Sequence, residues 1–578
     1  MKYEFEIEGM TCLSCARTLE QALARVPGVE GVSVSYPAKH ATVAAADGVD
    51  VDALREVVAD AGYRARQSTE SNADPRAASR SSGAGSEGTV DFDLVIVGSG
   101  GAGVAAAIRA SELGASAAIV ERADVVGGTC VNVGCIPSKN LIEAAHQYHA
   151  VRTGFPGIAP CAPELAWDRV LEQKRSLVAS LRQAKYTDVL SAYENVTLLE
   201  GDAALQPPTQ NGPVVVRVAA RDGGHRDLRA RAAVLATGTR PALPPIPGLT
   251  EAVAAGGRVL DSTSAMDMER LPASLLVLGA GAIGLELGQA FHRFGVRVVV
   301  VEAMERILPT ESAEVSAALA QALAAEGLEI HTGTRATRVD VTADGVRLEV
   351  GRGSLVGHLE AERVLVATGR VPNVEGLQLE AAGVRVDARG FVVVDEYMRT
   401  SHPRVFAAGD VTGGPGYVYV AALEGGVAAQ AALAAVGVTT AAGDEAPISA
   451  DLGTVPRVTF TDPQVAAVGL TEAEARAAGL APQVTTLPVD ALPRAAVSYR
   501  RQGSVTLVSE VGTDRLLGAH MVAPNAGDVI GEAVLAIRFG LTTRDIVSTL
   551  HPYLTWGEAL KLAAQTFTKD VAKLSCCA

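Results

Sequence analysis

The sequence predicts an α/β fold: two doubly wound βαβ units, an α+β domain after them, and a small βαββαβ domain of ferredoxin-like plan ahead of them. Three observations carry this. The run "DFDLVIVGSGGAGVAAAIRASELGASAAIVER" reads buried strand, glycine turn, helix and strand, and the plan recurs in "SLLVLGAGAIGLELGQAFHRFGVRVVVVEA". A Ser-, Ala- and Gly-rich stretch over 67–89, with no apolar period, reads as a linker that sets off a short leading segment. From about residue 451, "PRVTFTDPQVAAVG" begins a different mixture of strands and helices.

A chain of 578 residues is too long for one core. The expected divisions are 1–66, the linker 67–89, a first dinucleotide unit over 90–242 completed by 366–450, a second over 243–365, and the last domain over 451–578. In the leading domain, strands are expected at Tyr3–Glu8, Val29–Ser35, Ala41–Ala45 and Tyr63–Arg66, with helices over Ser14–Val26 and Val51–Ala61. A net charge of −15 argues against nucleic acid as a partner, since phosphate contacts need clustered bases. No segment approaches about 18 uninterrupted apolar residues, and "MKYEFEIEG" lacks a basic region followed by an apolar run. These features predict a cytoplasmic protein without membrane insertion.

Each glycine turn has the full dinucleotide fingerprint. Gly98, Gly100 and Gly103 follow a strand and open a helix, and Glu121 ends the next strand, 23 positions after the first glycine. Gly279, Gly281, Gly284 and Glu302 repeat the arrangement. Glycines let the backbone approach a pyrophosphate at a helix N-terminus, and the acid accepts from an adenosine ribose. Both units are therefore expected to be Rossmann-like.

The seven cysteines are sparse, and six fall in close pairs: Cys12/Cys15, Cys130/Cys135 and Cys576/Cys577, with Cys161 left over. This is no secreted disulfide framework; paired thiols in a reducing compartment bind metal or exchange electrons. Cys12 and Cys15 in "GMTCLSC" are C-x-x-C thiols entering a helix, with Arg17 one turn on. Taken alone that spacing fits redox chemistry, zinc or a two-coordinate soft cation; the βαββαβ setting favours the last.

Around Cys130 and Cys135 the chain reads "GGTCVNVGCIPSK", followed later by "ATGTRP", "ATGRVPN" and "TSHPRVFAAGD". From about residue 90 onward it resembles the pyridine nucleotide–disulfide oxidoreductases. The resemblance implies FAD in the first unit and NAD(P)H in the second, and a homodimer built on the last domain. Gly128, Thr129 and Asp410 would join the flavin contacts, with Asp410 on the ribityl chain. Cys135 would be the thiolate beside the flavin and Cys130 the interchange thiol, about one helical turn apart. Lys139 would sit near the flavin, paired with Glu286.

In disulfide-reducing members, a His-Pro segment carries a His paired with a Glu five residues later. Here "HPYLTWGEALKLAAQTF" has His551, but Trp556 stands at that spacing and the nearest acid in sequence is Glu558. The segment and the ending "KLSCCA" instead resemble the mercuric reductase branch, and the "GMTC" leader resembles heavy-metal-associated domains. The resemblance implies Hg(II)–thiol complexes as substrate, Tyr553 near the active site, and Cys576 and Cys577 serving the partner subunit. Three dithiols would pass the ion from Cys12/Cys15 to Cys576/Cys577 and on to Cys130/Cys135. Two features depart from that branch. Val259 occupies the expected place of a second tyrosine, and Glu302 followed only by Arg306 favours NADH. A dihydrolipoamide dehydrogenase or thioredoxin-reductase-like enzyme, and a soft-metal delivery protein, stay open as alternatives.

Overall fold

The computed structural model describes all residues except 1, 9–18, 21, 36–39, 47, 62, 68–89, 210–211, 354, 439–447, 571–572 and 574–578. Cys12, Cys15, Arg17, Cys576, Cys577 and nearly all of the linker lie outside the described residues.

In the leading domain, β1 (Lys2–Glu8), β2 (Val29–Ser35), β3 (His40–Ala45) and β4 (Arg64–Gln67) form an antiparallel sheet in the order β2-β3-β1-β4. Alternation puts Phe5 and Ile7 of β1 and Ala41 and Val43 of β3 on one face. They pack there with Leu54 and Val58 of α1 (Val51–Asp60), whose N-cap Asp50 accepts from the Asp52 amide at 3.0 Å. Leu19 and Leu23 complete this core; residues 14–18 and 21 of the helix expected over Ser14–Val26 lie outside the described residues.

The first large unit is built from β5 (Phe92–Val97), α2 (Gly101–Glu112), β6 (Ala117–Glu121), α3 (Gly128–Asn132), α4 (Cys135–Thr153), α5 (Trp167–Arg182), β7 (Val196–Glu200), β8 (Asp202–Leu205), β9 (Val214–Ala219) and β10 (His225–Leu235). Its strands lie in the order β7-β6-β5-β10-β9-β8, the first four parallel. The second unit comprises β11 (Val259–Leu260), β12 (Ser274–Leu278), α6 (Ala282–Arg293), β13 (Arg297–Val301), α7 (Ala313–Glu326), β14 (Glu329–His331) and β15 (Arg363–Val366), a parallel sheet in the order β11-β15-β12-β13-β14. Buried strands rich in Val, Ile and Leu between helical layers explain both sheets.

The chain then returns to the first unit. β16 (Val405–Ala407) pairs in parallel with β10, and α8 (Val418–Ala435) packs on α2 with its alanines in the same core. Among the described residues α8 is the one helix long and apolar enough to cross a membrane, and ten of its residues are buried within this fold. The last domain has an antiparallel sheet of β17 (Arg457–Thr459), β18 (Gln464–Gly469), β19 (Pro482–Pro488), β20 (Ser504–Glu510) and β21 (Leu516–Ala523), ordered β17-β18-β21-β20-β19, with α9 (Ala526–Arg538) and α10 (Glu558–Gln565) against it.

Four polar links join the second unit to the last domain. Glu286 accepts from the Phe460 amide at 2.8 Å, and the Gln289 amide bonds both backbone groups of Asp462 at 2.8 Å. Arg293, only 4 % exposed, pairs with Asp462 at 3.1 Å and with Glu326 at 2.6 Å. Arg457 pairs with Glu311 at 2.9 Å. Burial works against the Asp462 carboxylate, but Arg500 and Arg293 hold its pKa below the ordinary value.

Candidate active site

The expected single helical turn between the two thiols is broken. α3 stops at Asn132, and Gly134 (φ −129°, ψ −109°) caps a second helix, α4, that begins at Cys135. A Cβ at Gly134 would come 2.9 Å from the Thr129 carbonyl oxygen, so the break needs glycine. Cys135 thereby sits at a helix N-terminus, where the dipole and free amides favour a thiolate.

Cys130 and Cys135 are free thiols, and a hydrogen bond between their side chains divides their acidities. That bond is the largest influence on each: with the charge of Lys139 it lowers Cys135 to about 7 against the cost of burial, and it raises Cys130 far above an ordinary thiol. Near neutral pH the pair holds one thiolate and one proton, Cys130 S–H donating to Cys135.

Lys139, one turn into α4, donates to Glu286 Oε2 of α6 at 2.7 Å, and its ammonium lies 4.6 Å from the centre of the Phe460 ring. Glu286 is 5 % exposed and uses its other oxygen on the Phe460 amide. Residues from α4, α6 and the last domain thus meet beside the dithiol.

A cavity of about 720 Å³ opens against both thiols and runs past Gly98, Gly100, Glu121, Gly128, Thr129 and Asp410. Its walls are shaped for close approach of a ligand to backbone. A Cβ at Gly98 (φ +102°) would come 2.5 Å from the Ala236 oxygen, and one at Gly128 (φ +60°) 2.6 Å from Gly100 Cα. Gly103 would drive a Cβ into the Gly98 carbonyl. Glu121 is fixed by the Ser99 amide (2.9 Å), the Ser99 hydroxyl (2.6 Å) and the Ala123 amide (2.8 Å). Asp410 accepts from the Thr239 hydroxyl at 3.0 Å, and Arg370 donates to that hydroxyl at 2.7 Å. Thr237 Oγ1, on the cavity wall, is buried with no protein partner. An elongated dinucleotide with a pyrophosphate at the start of α2 and a polar chain at Asp410 fits these walls, as FAD requires.

The second glycine turn repeats the first. Gly279 also has φ +102°, and a Cβ there would come 2.6 Å from the Ala367 oxygen; Gly284 would collide with the Gly279 carbonyl. Gly281 caps α6 in extended conformation. Glu302, 8 % exposed, accepts from the Ala280 amide at 2.7 Å and the Met304 amide at 2.8 Å.

Two features were invisible in the sequence. Val259 belongs to β11 and packs into the core of the second unit. Against the redox loop lies the ring of Tyr186, in a π-helical turn over Gln183–Thr187 that follows α5; it does not line the cavity. A Cβ at Gly127 would lie 3.3 Å from its ring, and burial and then the charges of Cys130 and Cys135 raise its pKa. His551 does not pair with Glu558: its Nε2 lies 2.8 Å from Glu532 Oε1, on α9, and its Nδ1 bonds the Thr549 carbonyl at 2.9 Å. Tyr553 is half-exposed on the last domain and does not line the cavity.

The family model for pyridine nucleotide-disulphide oxidoreductases matches residues 92–425, its dimerisation domain matches 455–564, and a heavy-metal-associated domain matches 4–64. A mercuric reductase of Staphylococcus aureus is 40 % identical over 586 aligned positions, covering 100 % of this chain and 99 % of that protein. One of Acidithiobacillus ferrooxidans is 40 % identical over 100 % of this chain and 98 % of its own, and one of Streptomyces lividans 44 % identical over 84 % and 98 %. Among solved structures, the HOCl-induced flavoprotein disulfide reductase RclA of Escherichia coli superposes with a TM-score of 0.70 at 28 % identity, covering 83 % of this chain and 100 % of that one. LpdA of Mycobacterium tuberculosis gives 0.71 at 27 % identity, covering 82 % and 99 %. With a divided dithiol at the mouth of one dinucleotide cavity and a second glycine turn of the same build, the chain belongs to the pyridine nucleotide-disulphide oxidoreductase family.

Proposed function

We propose that the chain is an FAD-dependent, homodimeric reductase of the cytoplasm, not inserted in membrane, that uses NAD(P)H to reduce thiolate-bound Hg(II) to Hg(0). The observation that carries this is the Cys130/Cys135 pair of free thiols on the cavity wall, with Cys135 at the start of α4 one turn before Lys139.

Bound FAD supplies the route by which an electron pair from the nicotinamide reaches the sulfur side of the cavity. Gly98, Gly100, Gly103, Glu121, Gly128, Thr129 and Asp410 would hold it, and Gly279, Gly281, Gly284 and Glu302 the reductant. Hg(II) is soft and exchanges between thiolates without being released. The Cys135 thiolate displaces one carrier thiolate from the ion, which leaves protonated by Cys130. Cys130, now a thiolate, displaces the second. Two electrons then reduce the doubly ligated ion to Hg(0) and leave both cysteines as thiolates, so that NAD(P)H and Hg(II) give NAD(P)⁺, H⁺ and Hg(0). Lys139 keeps positive charge beside this anionic sulfur pair, and Glu286 orients it. Tyr553 would offer a hydroxyl to the ligated ion from the partner subunit. Cys12/Cys15 and the partner's tail, Cys576/Cys577, feed the ion inward.

The test is anaerobic oxidation of reduced nicotinamide by holoenzyme supplied with Hg(II) in excess thiol, against lipoamide and oxidised glutathione as acceptors. Consumption with mercury and little with the disulfides is expected. Replacing Cys576 and Cys577 with Ala should slow turnover on stable bis-thiolate complexes; equal rates with every complex would remove the tail from the relay. One observation favours a disulfide-reducing reading: His551 does have an acid partner, Glu532. Rapid cleavage of a disulfide with no mercury turnover would make that reading the right one.

A further inference from the structure

We propose that Glu302 makes NADH, and not NADPH, the preferred reductant of this chain. The inference rests on the reading of the second unit as the nicotinamide cofactor's site.

The argument comes from a comparison internal to the chain. Each unit presents one acid at the end of its second strand, held by the same pair of backbone amides; Glu121 takes the Ser99 hydroxyl in addition. Glu121 takes the amide of Ser99, the residue after the first glycine, on Oε2 and the amide of Ala123, two residues beyond itself, on Oε1, at 2.9 and 2.8 Å. Glu302 takes Ala280 on Oε2 and Met304 on Oε1, at 2.7 and 2.8 Å. The positions correspond one for one. Two amides leave each carboxylate oxygen with acceptor capacity to spare, and fix where it points. What such a group can bind is a pair of hydroxyl donors, the 2′- and 3′-OH of an adenosine ribose. The adenosine of FAD carries a free 2′-OH, so the first unit shows what this cradle is built to take.

A 2′-phosphate offers no comparable donor and brings negative charge against a carboxylate that is 8 % exposed, where water screens poorly. Accommodating it would need a free base nearby. The loop after β13 reads Ala303, Met304, Glu305, Arg306. Its one base, Arg306, donates to the carbonyls of Pro309 and Glu311 at 3.2 Å, and Glu305 adds a second acid. The loop is thus folded away from a phosphate role.

The experiment uses oxidised holoenzyme and no mercury, so that it stands apart from the identity of the electron acceptor. Calorimetric titration with 5′-AMP and with adenosine 2′,5′-bisphosphate reads the adenosine subsite directly. Anaerobic stopped-flow bleaching of the flavin by NADH and by NADPH reads productive binding. The expected result is tighter binding of 5′-AMP and a bimolecular bleaching rate about tenfold or more higher with NADH. Glu302→Gln, which keeps shape and removes charge, should shrink that ratio several-fold by weakening NADH and relieving NADPH. Equal or faster bleaching by NADPH, tighter binding of the bisphosphate, or an unchanged ratio in Glu302→Gln would each overturn the proposal. An absence of discrimination between the two reductants would leave the proposed mercury chemistry standing, since no mercury enters this experiment.

Discussion

At the scale of single residues, chemistry is set by how one proton is divided between two sulfurs. The largest influence on Cys135 is the Cys130 hydrogen bond; Lys139 helps, but its charge is shared with Glu286 at 2.7 Å. Alkylation at Cys135 of the reduced enzyme, followed by peptide mapping, should therefore follow an ionisation near pH 7, slow below it and fast above. Cys130→Ala should move that midpoint upward, and further than Lys139→Met, whose effect is expected at roughly one unit or less. A midpoint already near that of a free thiol in the parent, or a larger move from Lys139→Met, would contradict the assignment. The spacing of Cys130, Cys135 and Lys139 was legible because all three lie on one continuous segment. Tyr186 and Glu532 were not, because nothing local marks them. Tyr186 comes against the redox loop only through the packing of α5 and its π turn, and Glu532 meets His551 from 19 residues upstream.

At the scale of elements, close approach matters as much as sequence pattern. α2 and α8 cross where Gly425 faces the backbone of Ala102, and a Cβ at Gly425 would collide with the Ala102 carbonyl. Ala102 lies in the first turn of α2, where the pyrophosphate is expected. Gly425→Ala should cost about 1–3 kcal/mol by overpacking and should loosen flavin, measured as a lower melting temperature and a higher FAD dissociation constant. Unchanged values for both would mean that the helices can separate without cost. Glycine turns and alternating or buried apolar runs made most strands and helices legible, including β1 to β4 to within a residue or two. The break between α3 and α4 was not, since a four-residue gap between cysteines reads equally well as part of a continuous helix. The deciding contact, Gly134 on Thr129, is a steric one.

For the whole molecule, the last domain carries apolar side chains that a single chain leaves in water: Leu550 is 92 % exposed, Phe539 70 % and Leu535 56 %. In a chain whose match includes the family's dimerisation domain, these are expected to be covered by a second copy. Leu550→Asp with Phe539→Asp should shift the enzyme from dimer to monomer in sedimentation. Mercury turnover should fall sharply, while Cys135 keeps its alkylation midpoint. A dimer that survives both changes would place the interface elsewhere. Dimerisation was inferred in the sequence from a resemblance and not from a pattern, because a surface that pairs with its own copy leaves no periodic signature.

The four links from Glu286, Gln289, Arg293 and Glu311 into the last domain bear on how the reductant comes and goes. A lobe bolted down at four points does not swing open like a jaw. On the proposed reading, the unit that takes the reductant is tied to the last domain through Glu286, the same acid that holds Lys139, so cutting that tie should disturb reductant binding and the dithiol together.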